Sequence, residues 1–197
     1  MRLLYLARHG ETDWNAAGRW QGHTDVPLNE SGRAQARALA GALGPLGIGG
    51  AVASDLARAH ETARIVATGL GVSVAYTDRD LRERSFGVFE GLTREECAEQ
   101  HAEAWRAWTE HRITPGGAET QETIAARMVA AVTRVATEVA RDDAPALVVT
   151  HGGALRALVS AVTGQMPPFV KNGEVWEVTW DRRLVAARPV TPGPGPR

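Results

Sequence analysis

Three observations predict an α/β protein, a three-layer α/β/α sandwich with a mostly parallel central sheet and a short helical lid. Short, continuously apolar runs, Leu3 to Ala7 and Ala146 to Thr150 among them, read as strands buried on both faces. These runs alternate with stretches of helical apolar spacing, as parallel β-α units do. Two of them end alike, one on Arg8-His9-Gly10 and the other on His151-Gly152-Gly153.

The elements follow in chain order. After the first strand, Asn29 is a good N-cap for a helix through Ala34, Ala38, Leu39 and Ala42, which Gly44-Pro45 ends. Val52 to Ser54 reads as a second strand, followed by a helix from about Leu56 to Leu70 with Gly71 just beyond. Val72 to Tyr76 reads as a third strand. Leu81 to Gly91 has no clean period. Thr93 with Glu96 forms a capping box, so one helix is expected to start there and to carry Trp105 and Trp108 near its far end. Pro115-Gly116-Gly117 breaks the chain before a long amphipathic helix marked by Ile124, Met128, Val132, Val135 and Val139. The helix after His151 closes at Gly164, and Val175 to Trp180 with Leu184 to Pro189 suggests a terminal hairpin. One domain is expected over residues 1–190, with the lid at about 84–115 and a disordered tail over 191–197.

Composition narrows the function. At 197 residues the chain fits a single core, since splitting usually begins beyond about 250. Hydrophobic residues make up 44% and charged residues 23%, as in ordinary folded domains. A formal net charge of −1 lacks the basic footprint that nucleic acid binding needs. Lys171 is the only lysine, and the arginine excess reads as coding bias, so only specifically placed arginines count. The single cysteine, Cys97, excludes an intramolecular disulfide and reads as structural. No apolar run approaches the ~18 residues of a membrane span, and Leu3 to Ala7 is too short for a signal-peptide core, so a cytoplasmic protein without membrane contact is expected.

Open α/β sheets bind ligands outside the carboxyl ends of their strands. If the strands are parallel neighbours, Arg8 and His9, Asp55 and Arg58, and His151 share one sheet edge. Two histidines and two arginines there make a cationic pocket that suits a phosphate dianion, with glycines beside both histidines to admit it. Asn15 can donate through its amide, and the N-terminus of the helix after His151 adds partial positive charge. A neutral imidazole can attack phosphorus if its other nitrogen keeps its proton on a fixed acceptor. His9 and His151 are equally eligible on this ground. The leaving group needs a proton, and Glu83 in "LRERSFGVFEG" is the best donor, because Phe86 and Phe89 could give it apolar cover; Glu90 is next. The plain alternatives are a salt-bridged strand end for Arg8-His9 and a surface ion pair for Glu83 with Arg82 or Arg84. Trp14 and Trp20 read as pocket wall, Trp105 and Trp108 as lid core or substrate wall, and His23, His101 and His111 as surface residues without partners.

"ARHGETDWN", "GRWQGHTDVPLNESG", "SDLARAHETA", "LRERSFGVFEG" and "THGG" together resemble the histidine phosphatase superfamily, the phosphoglycerate mutase-like proteins. The match runs through Gly153. It implies that His9 is phosphorylated, that Arg8, Arg58 and His151 cradle the phosphoryl group, and that Glu83 is the proton donor. It also implies substrate contacts from Asn15, Gln21, Gly22 and Gly152. His60 stands where some members carry a second arginine in "DLxRxRxTA" and is a further candidate contact.

No GxxxxGK[ST], GxSxG or GxGxxG occurs, and "HETAR" lacks the second histidine of HExxH, so neither a cofactor nor a metal is implied. "FGVFEG" and "PGGAET" resemble the phosphatase branch, and the lid is shorter than in typical cofactor-dependent mutases. The expected activity is a metal-independent phosphomonoesterase on small phosphorylated metabolites. A phosphoglycerate mutase is the alternative, and a phosphate-binding module without turnover the third reading. A homodimer is conceivable through an exposed edge at Val175 to Trp180.

Overall fold

A computed structural model describes residues 1–110 and 114–190 of the chain. Among these, six strands form one sheet: β1 (Arg2–Arg8), β2 (Gly50–Ser54), β3 (Val74–Asp78), β4 (Ala146–Thr150), β5 (Val175–Trp180) and β6 (Leu184–Val190). Their order across the sheet is β3-β2-β4-β1-β5-β6, with β3, β2, β4 and β1 parallel and β5 and β6 antiparallel.

The central strands alternate their side chains between two apolar layers, which is why they read as continuous apolar runs. Leu4, Leu6, Val52 and Val148 pack with α6 (Gln121–Glu138) and α7 (Gly152–Thr163) on one face. Tyr5, Ala7, Ala51, Ala53, Leu147 and Val149 pack with α2 (Glu30–Leu43) and α3 (Ala57–Leu70) on the other. The three layers follow directly. Caps behave as the sequence predicts: Asn29 accepts from the Gly32 N–H, and Gly71 and Gly164 close α3 and α7 in the left-handed conformation.

Several expectations need correction. The third strand lies two residues later than predicted, at Val74–Asp78, because only there does it find β2 as a partner. The lid carries two helices, not one: α4 (Arg94–Gln100) and α5 (Ala102–Thr109) meet at His101, whose φ of −135° and ψ of 46° are not helical. Phe86, Phe89 and Cys97 form the buried heart of this lid, with Trp20, Trp105 and Trp108 packed against them. Both lid tryptophans are therefore half-buried and pack on the lid core. His101 is not a lone surface residue, since its ring packs 6.2 Å from that of Phe89. β5 is flanked by β1 and β6, so it offers no exposed edge, and the basis for dimerisation through it disappears. His111 and the 191–197 tail lie outside the described residues, as does part of the expected lid. Among the described residues no helix is long and apolar enough to cross a membrane.

Candidate active site

Register places the two histidines side by side. Arg8 is opposite Thr150 in the parallel β1–β4 ladder, and the His9 N–H extends that ladder to the Thr150 carbonyl at 3.0 Å. His9 and His151 are thus the next residues on adjacent strands, and their rings meet edge to face with centroids 5.0 Å apart. β2 lies on the far side of β4, and α3 starts just past its end, so Arg58 enters from the same edge.

All four groups are buried: Arg8 is 7% exposed, His9 2%, and Arg58 and His151 0%. Nδ1 of His9 lies 2.6 Å from the Gly10 carbonyl, and a carbonyl only accepts, so Nδ1 carries the proton and Nε2 keeps its lone pair. The main chain of His9 is also fixed, because Asn172 donates its amide to the His9 carbonyl at 2.9 Å. Arg8 donates Nη1 to the Val170 carbonyl at 2.8 Å, and its guanidinium faces the Phe169 ring at 5.2 Å. Arg58 donates Nη1 and Nη2 to the carbonyls of Thr24 and Gly22 at 2.8 and 2.9 Å.

What these bonds leave over defines the chemistry. Nε of Arg8, Nε of Arg58 and both ring nitrogens of His151 are buried without a hydrogen-bond partner among the described residues. Each such atom costs about 1–3 kcal/mol, and an oxyanion among them satisfies several at once. Oε1 of Gln21 is likewise buried and unpaired. Burial holds the imidazoles of His9 and His151 well below the ordinary range, and the charges of Arg58 and Arg8 add to it. Burial also lowers Arg58 to about 10, with Arg8 adding to that and the carboxylates of Glu83, Asp25 and Glu90 opposing it. Both rings are neutral and both arginines charged near pH 7.

Glu83 belongs to this group, since its charge is felt by both Arg8 and Arg58. Its surroundings differ from the expected apolar cover: Phe86 and Phe89 belong to the lid cluster, and the carboxylate accepts from backbone amides instead. Oε2 takes the Gly153 N–H at 3.0 Å, and Oε1 takes those of Ala154 and Arg84 at 2.9 and 2.8 Å. First-turn N–H groups of α7 therefore hold the acid, where the sequence suggested that they hold the ligand. A Cβ at Gly153 would stand 2.5 Å from Oε1, so only glycine lets the carboxylate in. Glu90 is committed elsewhere, to the N–H groups of His23 and Phe86 and the hydroxyls of Thr24 and Ser85.

The remaining predicted residues divide. Asn15 closes the capping box of α1 (Asp13–Ala16) with Thr12, and its Oδ1 also accepts from Asn172 at 3.2 Å. Gly22 presents its carbonyl to Arg58, with a φ of +52° and the Glu90 side chain where a Cβ would go. Gly152 leaves room for Arg8, whose Nε would lie 3.3 Å from a Cβ there. Gly10 makes room for a helix, not for a ligand: a Cβ would collide with the Gly32 carbonyl of α2. His60 is not brought to the cluster. Two residues beyond Arg58 on α3, it lines a groove with Arg64, Thr68 and residues 72–74 on the outer side of that helix. Arg82 forks onto Asp55 at 2.7 and 2.6 Å. His23 is also partnered, its Nε2 lying 2.8 Å from the Glu83 carbonyl and 3.7 Å from Glu119.

Sequence reasoning missed Asn172, Phe169, Thr62 and Arg127. Thr62 accepts from the Gly10 N–H at 3.0 Å and donates to the Arg58 carbonyl at 2.7 Å, tying the strand end to α3. A signal existed for Arg127, which stands three residues after Ile124 and four before Ala131, half-buried beside the apolar stripe of α6. The loop residues Phe169 and Asn172 carried none.

The model for the histidine phosphatase superfamily (branch 1) matches residues 4–185. Phosphoglycerate mutase-like protein 4 of Arabidopsis thaliana is 40% identical over 159 residues, covering 79% of this chain and 68% of that protein. A protein named metal-independent phosphoserine phosphatase, also of Arabidopsis thaliana, is 40% identical over 167 residues, covering 81% and 68%. Among solved structures, the mycobacterial glucosyl-3-phosphoglycerate phosphatase in complex with VO3 superposes with a TM-score of 0.85 at 31% identity, covering 97% of this chain and 98% of that one.

Proposed function

The chain belongs to the histidine phosphatase superfamily, as an enzyme of phosphatase or mutase type, and on that premise we propose that it is a metal-independent phosphomonoesterase working through a phosphohistidine on His9. The observation that carries the reading is the difference between the two histidines. His9 has its Nδ1 proton held by the Gly10 carbonyl, so its Nε2 is a ready nucleophile, and its ring meets that of the unpaired His151 within the field of Arg58 and Arg8.

In the first step Nε2 of His9 attacks phosphorus, the bond from phosphorus to the ester oxygen breaks, and Glu83 gives that oxygen its proton. Arg8, Arg58 and His151 stabilise charge on the equatorial oxygens, where phosphoryl transfer gains most. In the second step water attacks the phosphohistidine, Glu83 takes the water's proton, and phosphate leaves as Nε2 regains its lone pair. Asn15, Gln21, Gly22 and Gly152 are the substrate-side contacts in this scheme; His60 is not among them.

The short lid supports hydrolysis over return of the phosphoryl group to a second hydroxyl, and so does the full-length likeness to a phosphatase of known structure. Phosphorus NMR of the metal-free protein with 3-phosphoglycerate, a trace of 2,3-bisphosphoglycerate and several other phosphomonoesters tests it. Inorganic phosphate as the main product is the expected result. Accumulation of 2-phosphoglycerate would make the protein a mutase, and no turnover of any ester would make it a binding module.

A further inference from the structure

The tip of Glu83 is held by α7, but its main chain is held by a different helix. From α6, the half-buried Arg127 donates Nη1 to the carbonyls of Asp80 and Arg82 at 2.8 and 2.7 Å, and Nη2 to that of Glu83 at 2.8 Å. Its Nε and Nη2 also fork onto Glu119 at 2.8 and 2.7 Å, so all five N–H groups are used. Glu119 in turn accepts from the Ser85 N–H at 2.9 Å, and its own N–H and carbonyl engage the Ser85 carbonyl and Arg84 Nε. Burial pushes the Glu119 carboxyl up, but the Arg127 fork and the Ser85 N–H more than offset this and keep it below the usual carboxylate range.

The segment held in this way has no strand or α-helix of its own, only short 3-10 turns at Arg79–Leu81 and Gly87–Phe89. Without Arg127 the carbonyls of Asp80 and Arg82 would lack partners among the described residues, and that of Glu83 would keep only His23 Nε2. An apolar side chain at 127 would fill the stripe beside Ile124 and Ala131 equally well, so packing does not explain an arginine there. Three carbonyl bonds clustered on residues 80–83 do.

We propose that Arg127, paired with Glu119, is a positioning residue for the proton donor, fixing the 80–83 main chain so that the Glu83 carboxylate reaches both the α7 amides and the bound ester. The proposal rests on the reading of Glu83 given above. A loose donor matters most where the leaving group is poor, and a displacement of about 1 Å can cost on the order of 100-fold.

The test compares kcat and KM for p-nitrophenyl phosphate and for glycerol phosphate. Arg127→Met is expected to lower kcat on glycerol phosphate about 10- to 100-fold and on the aryl ester less than about 3-fold, with KM unchanged and part of the loss restored in Arg127→Lys. Arg134→Gln, on the same helix but tied only to the Asp78 and Asp80 side chains, should show no selective loss. If Arg127→Met does not fold, Arg127→Lys and Glu119→Gln are read by the same ratio. Equal losses on both esters in those variants would mean that Arg127 only stabilises the fold, and would overturn the proposal. No selective loss in Glu83→Gln would instead overturn the donor assignment, and this proposal with it.

Discussion

His9 and His151 sit at the same height on adjacent parallel strands, 5.0 Å between ring centroids, yet only His9 has its Nδ1 tied to a carbonyl. The His151 ring has neither nitrogen bonded among the described residues. In the proposed mechanism one ring therefore attacks and the other receives charge.

Replacing His9 by alanine is expected to remove turnover by at least about 1,000-fold on every ester, because His151, the other ring of the cluster, has neither nitrogen oriented by a hydrogen bond among the described residues. Alkaline quenching after brief incubation with a labelled ester should trap phosphohistidine in the wild type and none in the variant. Wild-type-like turnover in His9→Ala would sink the mechanism.

Glu83→Gln removes the proton but keeps one acceptor for the α7 amides. Hydrolysis of alkyl esters should slow by about 100-fold or more and that of activated aryl phosphates only a few-fold, since the latter need little proton donation. Steady-state rates across leaving groups of graded basicity give the comparison directly; parallel losses would move the acid elsewhere.

Gly153→Ala puts a methyl group against Oε1 of Glu83, which lies at the far end of a flexible side chain. The fold should tolerate it, and alanine within α7 even favours the helix by up to about 1 kcal/mol. Thermal melting should therefore hold or rise while alkyl ester hydrolysis falls on the order of 10-fold. A drop in melting temperature with kinetics unchanged would contradict this packing.

The fold keeps His9 and His151 neutral by burial, reinforced by the two arginines, whereas in the unfolded chain both titrate near pH 6.5. Below that value the unfolded state binds more protons. The stability contribution is full above about pH 6.5 and is lost as pH falls beneath it, by up to about 1.4 kcal/mol per pH unit for each histidine. Urea midpoints at pH 7.5 and 5.5 measure this, and His151→Asn should remove about half of the difference; an unchanged difference would show that other groups carry it.

The strands and the cluster were legible because they are properties of order along the chain. An apolar run ending on His9 and another ending on His151 must bring both to one edge if the strands are parallel, and the cap residues Asn29 and Gly164 act within a turn of where they stand. Residue types alone left His9 and His151 equal and only the family resemblance pointed to His9, because the Gly10 carbonyl that fixes its tautomer is aimed by backbone geometry, not by residue type. The setting of Glu83 was equally hidden. Two of its three amide partners come from a helix far along the chain, and Arg127, which bonds its main chain, comes from another. Local pattern and strand order therefore determined the fold class and brought Arg8, His9, Arg58 and His151 to one sheet edge, but not Asn172, Phe169, Thr62 or Arg127. Tertiary contacts alone decided what holds Glu83, since a hydrogen bond between distant segments exists only once both have been packed into place.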